Sequence, residues 1–435
     1  MKPACRITHS QISAGTCPWC ESPVGDGDSM QTSLETVWNI AAVSAALDDP
    51  DAEVRLMTVT NIFRDGPPAV VAVPLLAKAL ADPVQEIRRD VEHGLTHLGQ
   101  NLTADDVRRI EQQIPHPQHE LGLRILALGY YFIGQRESVS ALDKRHQHIF
   151  WLISNAPNSE SAGSPEASIQ ESVGQAYETA KNLWLAQIDS HPEDTKVLGN
   201  AARFFLIHDR ELSETLLKKA CDLEPANPEW SERLGQLYSL GSGRKTPESQ
   251  VNARHALREY RRAERIRSEA ETGDAGTCDP EVKKTQQLLE RINYLPHLAA
   301  AAYDARELQV AKNYATELLS AAASSDLPEF FRNDGNAIHH GNLVLGKVAL
   351  QNGDLDQARE RLIACAGTTG SPQLGSFGPN MSLAKELLER GERDVVLEFF
   401  ELCAKFWEHG SDTLMEWTHQ VRAGEMPDFG GNLRY

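Results

Sequence analysis

The chain has 435 residues, with 43 Lys and Arg against 62 Asp and Glu, giving a formal charge of -19 and a pI near 5.3. That balance repels a polyphosphate backbone and offers no general basic surface to nucleic acid or anionic lipid. The length exceeds one ordinary core, so several cores or an array that grows by stacking is expected. Apolar residues make up 41% but aromatics only 6%. Ala and Leu dominate, which suits helix-on-helix packing and predicts an all-α protein. No run of about 18 apolar residues and no secretory h-region is present, so the expectation is a cytoplasmic protein without a membrane span.

Three cysteines fall early, in Cys5-Arg-Ile-Thr-His9 and then Cys17-Pro-Trp-Cys20. A C-x3-H pair and a C-x2-C pair bring four soft or borderline donors to one tetrahedral ion. So short a segment has no core of its own, and metal–ligand bonds replace burial as its folding free energy. Cys5, His9, Cys17 and Cys20 are therefore expected to hold a structural Zn2+ in a knuckle over residues 1–24, with no open position for catalysis. Cys221, Cys278, Cys365 and Cys403 are dispersed singly, as reduced structural thiols would be. Residues 25–34 read as a polar linker.

An internal repeat occupies 35–155. Asp49-Pro50-Asp51-Ala52-Glu53-Val54-Arg55 recurs 33 residues later as Asp82-Pro83-Val84-Gln85-Glu86-Ile87-Arg88. A degraded copy starts at Pro117, with Leu121 and Gly122 in the Val54 and Arg55 positions. Asp caps a helix, Pro fills its first turn, Glu complements the dipole, and Val or Ile turns inward. Val37 to Leu47 and Val71 to Leu80 read as amphipathic partner helices, and each hairpin leaves one apolar face for the next to cover. These residues resemble short bacterial HEAT repeats, and the resemblance implies a fold but no activity. The run SNAPNSESAGSPEAS then predicts a linker at 156–170.

From 171 to 425 a second grammar appears, with a period of about 34 residues and small residues where two helices cross. One unit carries Ala201, Phe204, Ala220 and Pro225; the next carries Leu234-Gly235, Tyr238, Ala256, Tyr260 and Ala263. The clearest copy is Leu345-Gly346, Ala349, Gly353-Asp354, Ala358, Leu362 and Cys365, with a weaker one at Ala299, Ala311 and Ala315. A last pair runs through Ala384, Leu387, Gly391, Val396, Phe400 and Cys403, then a cap helix and a tail at 426–435. The pattern resembles the tetratricopeptide repeat (TPR), and the stretch from HHGNLVLG to PDFGGNLRY resembles bacterial TPR proteins without an established activity. The resemblance implies that partner peptides or helices dock in a groove lined by the first helix of each pair. A two-sided Lys/Asn clamp for a C-terminal carboxylate is not expected, because Thr195, Leu198 and Ala202 occupy the groove positions of the repeat from Asp194. The predicted whole is two helical-hairpin solenoid arrays, HEAT-like then TPR-like, preceded by a zinc knuckle.

On the clearest copy His340, Leu343, Lys347 and Gln351 are expected to face the groove, joined by Met381 and Lys385 from the next repeat. Such a mixed apolar and cationic strip would receive an acidic or amphipathic segment. His339 and His340 point about 100° apart on a helix and cannot easily chelate one ion, so they read as packing or capping histidines. Arg254, Arg258, Arg261, Arg262 and Arg265 form one stripe, either a solvated face paired with Glu259 and Glu264 or a local nucleic-acid site. Trp184, Trp230 and Trp407 sit at core spacings. No nucleotide-loop, dinucleotide-fingerprint, H-E-x-x-H or G-x-S-x-G motif occurs, so no enzyme and no small-molecule substrate is expected. The function predicted is a protein-interaction scaffold with two binding arms, and the competing reading is a regulatory protein that uses the knuckle and the arginine stripe on nucleic acid.

Overall fold

The structure is a computed structural model that describes residues 40–65, 69–114, 119–133, 138–240, 246–273, 280–329, 332 and 334–433. Among them helices dominate and no strand occurs, and the chain divides into two units between Leu223 and Glu224. The boundary falls inside the stretch that reads as one TPR-like array.

The first unit holds α1 (Ile40–Ala46), α2 (Ala52–Asp65), α3 (Ala69–Ala79), α4 (Gln85–Gln100), α5 (Ala104–Gln113), α6 (Glu120–Ile133), α7 (Val139–Asn155), α8 (Gln175–Ser190), α9 (Thr195–Phe205) and α10 (Arg210–Leu223). The repeated Asp-Pro turn explains how α2 and α4 begin. Asp49 and Asp82 carboxylates accept the backbone N–H groups of Asp51 and Val84, each at 2.8 Å. Arg55 Nη1 donates to the carbonyls of Asp49 (2.8 Å) and Pro50 (3.2 Å), and Arg88 Nη1 donates to the equivalent carbonyls of Asp82 and Pro83. The two arginines thus do the same job in successive copies.

Arg55 also reaches across the repeat. Its Nε and Nη2 donate to Asp82 Oδ2 and Oδ1 at 2.7 and 3.1 Å, with the side chains only 10% and 5% exposed. The Arg55 hydrogen bond holds the Asp82 carboxyl below the usual carboxylate range. The third copy lacks this rung: aligned from Pro117, it has His116 at the Asp82 position and Gly122 at the arginine position. Sequence turned Val54 and Ile87 inward alike; Ile87 is buried, whereas Val54 is half-buried beside the inward-turned Arg55.

The closest crossing in this unit lies between α4 and α6. A β-carbon on Gly99 would stand 2.2 Å from the Leu126 carbonyl oxygen, and one on Gly129 would stand 2.2 Å from that of Thr96. Backbone meets backbone there, which only glycine permits.

The predicted linker at 156–170 is instead a folded strap, with short 3-10 turns at Glu160–Gly163 and Pro165–Ala167. Ser159, Ser161, Ala162, Ala167 and Ile169 are buried. The Ser161 N–H donates to Glu92 Oε2 of α4 at 2.7 Å, Asn200 Nδ2 of α9 donates to the carbonyls of Pro157 (2.9 Å) and Ser159 (2.7 Å), and Arg145 of α7 donates to the Glu166 carbonyl at 2.6 Å. Small polar residues look like linker by composition, but here their size lets the chain pass between helices while those side chains satisfy its backbone.

The second unit holds α11 (Pro228–Ser239), α12 (Pro247–Gly273), α13 (Pro280–Asp304), α14 (Leu308–Ala322), α15 (Gly335–Gln351), α16 (Leu355–Cys365), α17 (Pro372–Phe377), α18 (Ser382–Leu388), α19 (Arg393–Cys403) and α20 (Ser411–Ala423). Helices pack as adjacent pairs: α11 on α12, α13 on α14, α15 on α16, α18 on α19. Ala256, Ala263, Ala299, Ala311, Ala315, Ala349, Ala358 and Ala384, the predicted crossing residues, are all buried. Trp184, Trp230 and Trp407 are core residues, as their spacing predicts. Residues 426–433 of the predicted tail fold back onto the unit. Phe429 is 1% exposed, and Asn432 accepts the Met381 N–H at 2.7 Å and donates to the carbonyls of Phe377 (2.9 Å) and Pro379 (3.1 Å).

Candidate binding face of the second unit

The first helices of three successive pairs, α13, α15 and α18, lie side by side. A helix between two neighbours must bury its small-residue edges and leaves a narrow stripe outward. On α15 that stripe carries His340, Lys347 and Gln351, which are half-buried, half-buried and exposed in turn. Lys347 Nζ stands 4.5 Å from the centroid of the Tyr303 ring on α13, a cation–π geometry. Arg306 donates to Gln351 Oε1 at 3.0 Å, which ties the end of α15 to the turn after α13. Burial, reinforced by the charge of Glu386 on α18, pushes the Tyr303 phenol up to about 12. Lys385 of α18 is half-buried.

Two expected groove residues are not available. Leu343 is 6% exposed and Met381 fully buried, and both belong to the hydrophobic core with Ala384, Leu387 and Phe400. Leu343 stands at the edge of the α15 stripe and turns under it. Met381 shares this core with Phe429, and the chain after α20 folds back onto its backbone N–H. The face is therefore polar and cationic rather than mixed. Arg306 and Glu386 complete it, with Tyr303 buried beneath Lys347, and none of the three was singled out in the sequence. In the first unit, Thr195, Leu198 and Ala202 are buried and line no groove.

His339 is a fully enclosed bridge. Its Nε2 accepts the Asn380 N–H at 2.9 Å, and its Nδ1 lies 3.2 Å from the Cys365 carbonyl, a pairing that places the proton on Nδ1. Burial pushes its pKa down to about 4. Because the folded value lies below the ordinary 6.5, the neutral fold is favoured above 6.5 and stability is lost as pH falls from about 6.5 towards about 4. Denaturant midpoints of the full chain should fall across that window, and His339→Gln should flatten the slope whatever it costs at neutral pH. An unchanged slope in the variant would sink the assignment. His340, edge-on to His339 at 5.4 Å, is also pushed down, by burial first and then by the neighbouring histidines. The two rings point into different surroundings and form no chelating pair.

The arginine stripe of α12 is partly neutralised. Arg258 donates to Glu259 at 3.0 Å, Arg262 lies 3.9 Å from the same carboxylate, and Arg261 reaches Glu307 at 2.8 Å. Glu264 is engaged by Arg291 instead. Arg254 and Arg265 are exposed, and neither has an ion-pair partner among the described residues. Cys5, His9, Cys17 and Cys20 lie outside the described residues, and no cluster of three or more metal-ligating side chains occurs among those described. No described helix is long and apolar enough to cross a membrane. No family model matches the chain, and neither does any curated protein.

Proposed function

We propose that the protein is a non-catalytic adaptor whose second unit holds a partner segment against the α13–α15–α18 face. The observation that supports this reading is the alignment of three first helices into one surface bearing Lys347, Gln351 and Lys385, with the Tyr303 ring buried beneath Lys347. In the resemblance to TPR arrays, that is the face on which partners dock, while the Asp-Pro turns of the first unit resemble HEAT repeats, whose arrays also present surfaces to other proteins. With Leu343 and Met381 covered, the face offers charge and hydrogen bonds in place of apolar grip. The matching segment is polar and supplies carboxylates to Lys347 and Lys385.

The test uses the full chain as bait in its native cell. A partner retained reproducibly should be lost from Lys347→Glu with Lys385→Glu, and thermal unfolding of the double variant checks that it still folds after Lys347 gives up its contact with Tyr303. Retention unchanged in the double variant would remove the face from consideration. The nucleic-acid reading is weaker, since three of the five stripe arginines are occupied by carboxylates. A gel shift at physiological salt with a steep salt slope, abolished by Arg254→Glu and Arg265→Glu, would restore it.

The knuckle is proposed as a structural zinc site held by Cys5, His9, Cys17 and Cys20. A chromophoric chelator should release about one zinc per chain, and Cys17→Ser with Cys20→Ser should release none. Purified wild-type protein yielding no zinc would dispose of the site.

A further inference from the structure

The strap at 156–170 leaves a cleft of about 460 Å³ between itself and the exposed face of α4. His93 and His97 line it from the helix, with Arg89 and Glu92, while Glu160 and Glu166 line it from the strap. The cleft lies within the first unit and is independent of both the adaptor reading and the knuckle.

One helical turn separates the two histidines, which places their β-carbons about 6 Å apart on one side of the helix. Two imidazoles in that relation can share one ion, at about 2 Å from a nitrogen of each ring. Elsewhere in the chain His148, His208 and His339 are each engaged by a protein group. His93 and His97 are exposed, and neither ring has a hydrogen-bond or ion-pair partner among the described residues.

The acids of the cleft divide by what already holds them. Glu160 pairs with Lys196 of α9 at 3.1 Å, and the buried Glu92 accepts the Ser161 N–H at 2.7 Å. The Glu166 carboxylate has neither kind of partner among the described residues. Its backbone, by contrast, is fixed: Arg145 donates to the carbonyls of Glu166 at 2.6 Å and Ser168 at 2.9 Å, on either side of the end of the Pro165–Ala167 turn. An anchored backbone that carries an unengaged carboxylate suits a ligand, because only side-chain rotation remains to be lost on binding.

We infer that His93, His97 and Glu166 hold one divalent transition-metal ion across this cleft and so clasp the strap to α4. The three side chains are not a preset cluster. The imidazoles form the chelate, and the carboxylate reaches it by rotating about its own bonds. Two imidazoles and one carboxylate favour Zn2+, Ni2+ or Cu2+ over Mg2+ and Ca2+, which take oxygen ligands. Gly94 stands where an H-E-x-x-H helix carries its general base, so the role is structural and not hydrolytic.

The probe is Ni2+ alone, titrated by calorimetry into the full chain carrying Cys17→Ser and Cys20→Ser, which takes the proposed knuckle out of the measurement. Saturable binding of a single ion is expected. His93→Ala and His97→Ala change exposed positions, and each should weaken binding about a hundredfold by turning a chelate into a single contact. Glu166→Gln should weaken it severalfold. Hydrogen exchange of the strap amides at 160–168 should slow when Ni2+ is added, and should not slow in His97→Ala. Affinity equal to the parent in both histidine variants, as an ion held elsewhere would give, would overturn the site. Strap exchange unmoved by saturating Ni2+, or binding unaltered by Glu166→Gln, would overturn the clasp. Displacement of Ni2+ by an equal concentration of Mg2+ would overturn the choice of ion.

Discussion

Replacing Phe429 with alanine will destabilise the last hairpins of the second unit by about 3 to 5 kcal/mol, the range for removing a fully enclosed phenylalanine. The ring is edge-on to Trp417 at 4.9 Å and to Phe400 at 6.2 Å, so its loss leaves two large aromatics facing a void. It also anchors the segment that carries Asn432, whose bonds to Phe377, Pro379 and Met381 close the start of α18. Hydrogen exchange read by mass spectrometry should show the amides of α18, α19 and α20 exchanging at least about a hundredfold faster, the ratio that 3 kcal/mol implies. Unaltered exchange in those helices would show that residues 425–433 merely rest on the unit. Asn432→Ala is the milder companion, and its effect should concentrate at the N-terminus of α18.

Gly99→Ala should destabilise the first unit by about 2 to 3 kcal/mol, and two opposing effects set that figure. Alanine gains up to about 1 kcal/mol of helix propensity over glycine. Against this, the new methyl would sit 2.2 Å from the Leu126 carbonyl oxygen, and neither side can yield by rotating a side chain. Helices α4 and α6 must part, and overpacking of that kind costs about 3 kcal/mol or more when backbone must move. Gly129→Ala should behave alike, since its β-carbon meets the Thr96 carbonyl from the opposite side. The double variant should cost less than the sum of the two, because helices already parted by one methyl have room for the other. Denaturant unfolding of both singles and the double checks this, and a stabilised Gly99→Ala would refute the crossing.

The helical class and the pairing of neighbours were readable from the sequence because they rest on local signals, Asp-Pro helix starts and alanines at crossings. What escaped depends on distant residues. Nothing local distinguishes a Ser-rich linker from a strap until Asn200, Glu92 and Arg145 are brought beside it. Likewise Met381 falls at a groove position by repeat register, yet it is fully buried in a core cluster that Phe429 joins from the end of the chain. Leu343 and Met381 are thus lost to the core, while Lys347 and Lys385 keep partial access.

The strap also bears on how the chain can be divided. A fragment begun at residue 171, where composition invites a cut, would present the Asn200 amide to water with its backbone partners Pro157 and Ser159 gone, and would uncover the α9 surface on which the strap now lies. Proteases should meet the same obstacle in reverse: a stretch rich in serine, glycine and proline, ordinarily the first to be nicked, survives digestion for as long as its neighbours stay folded.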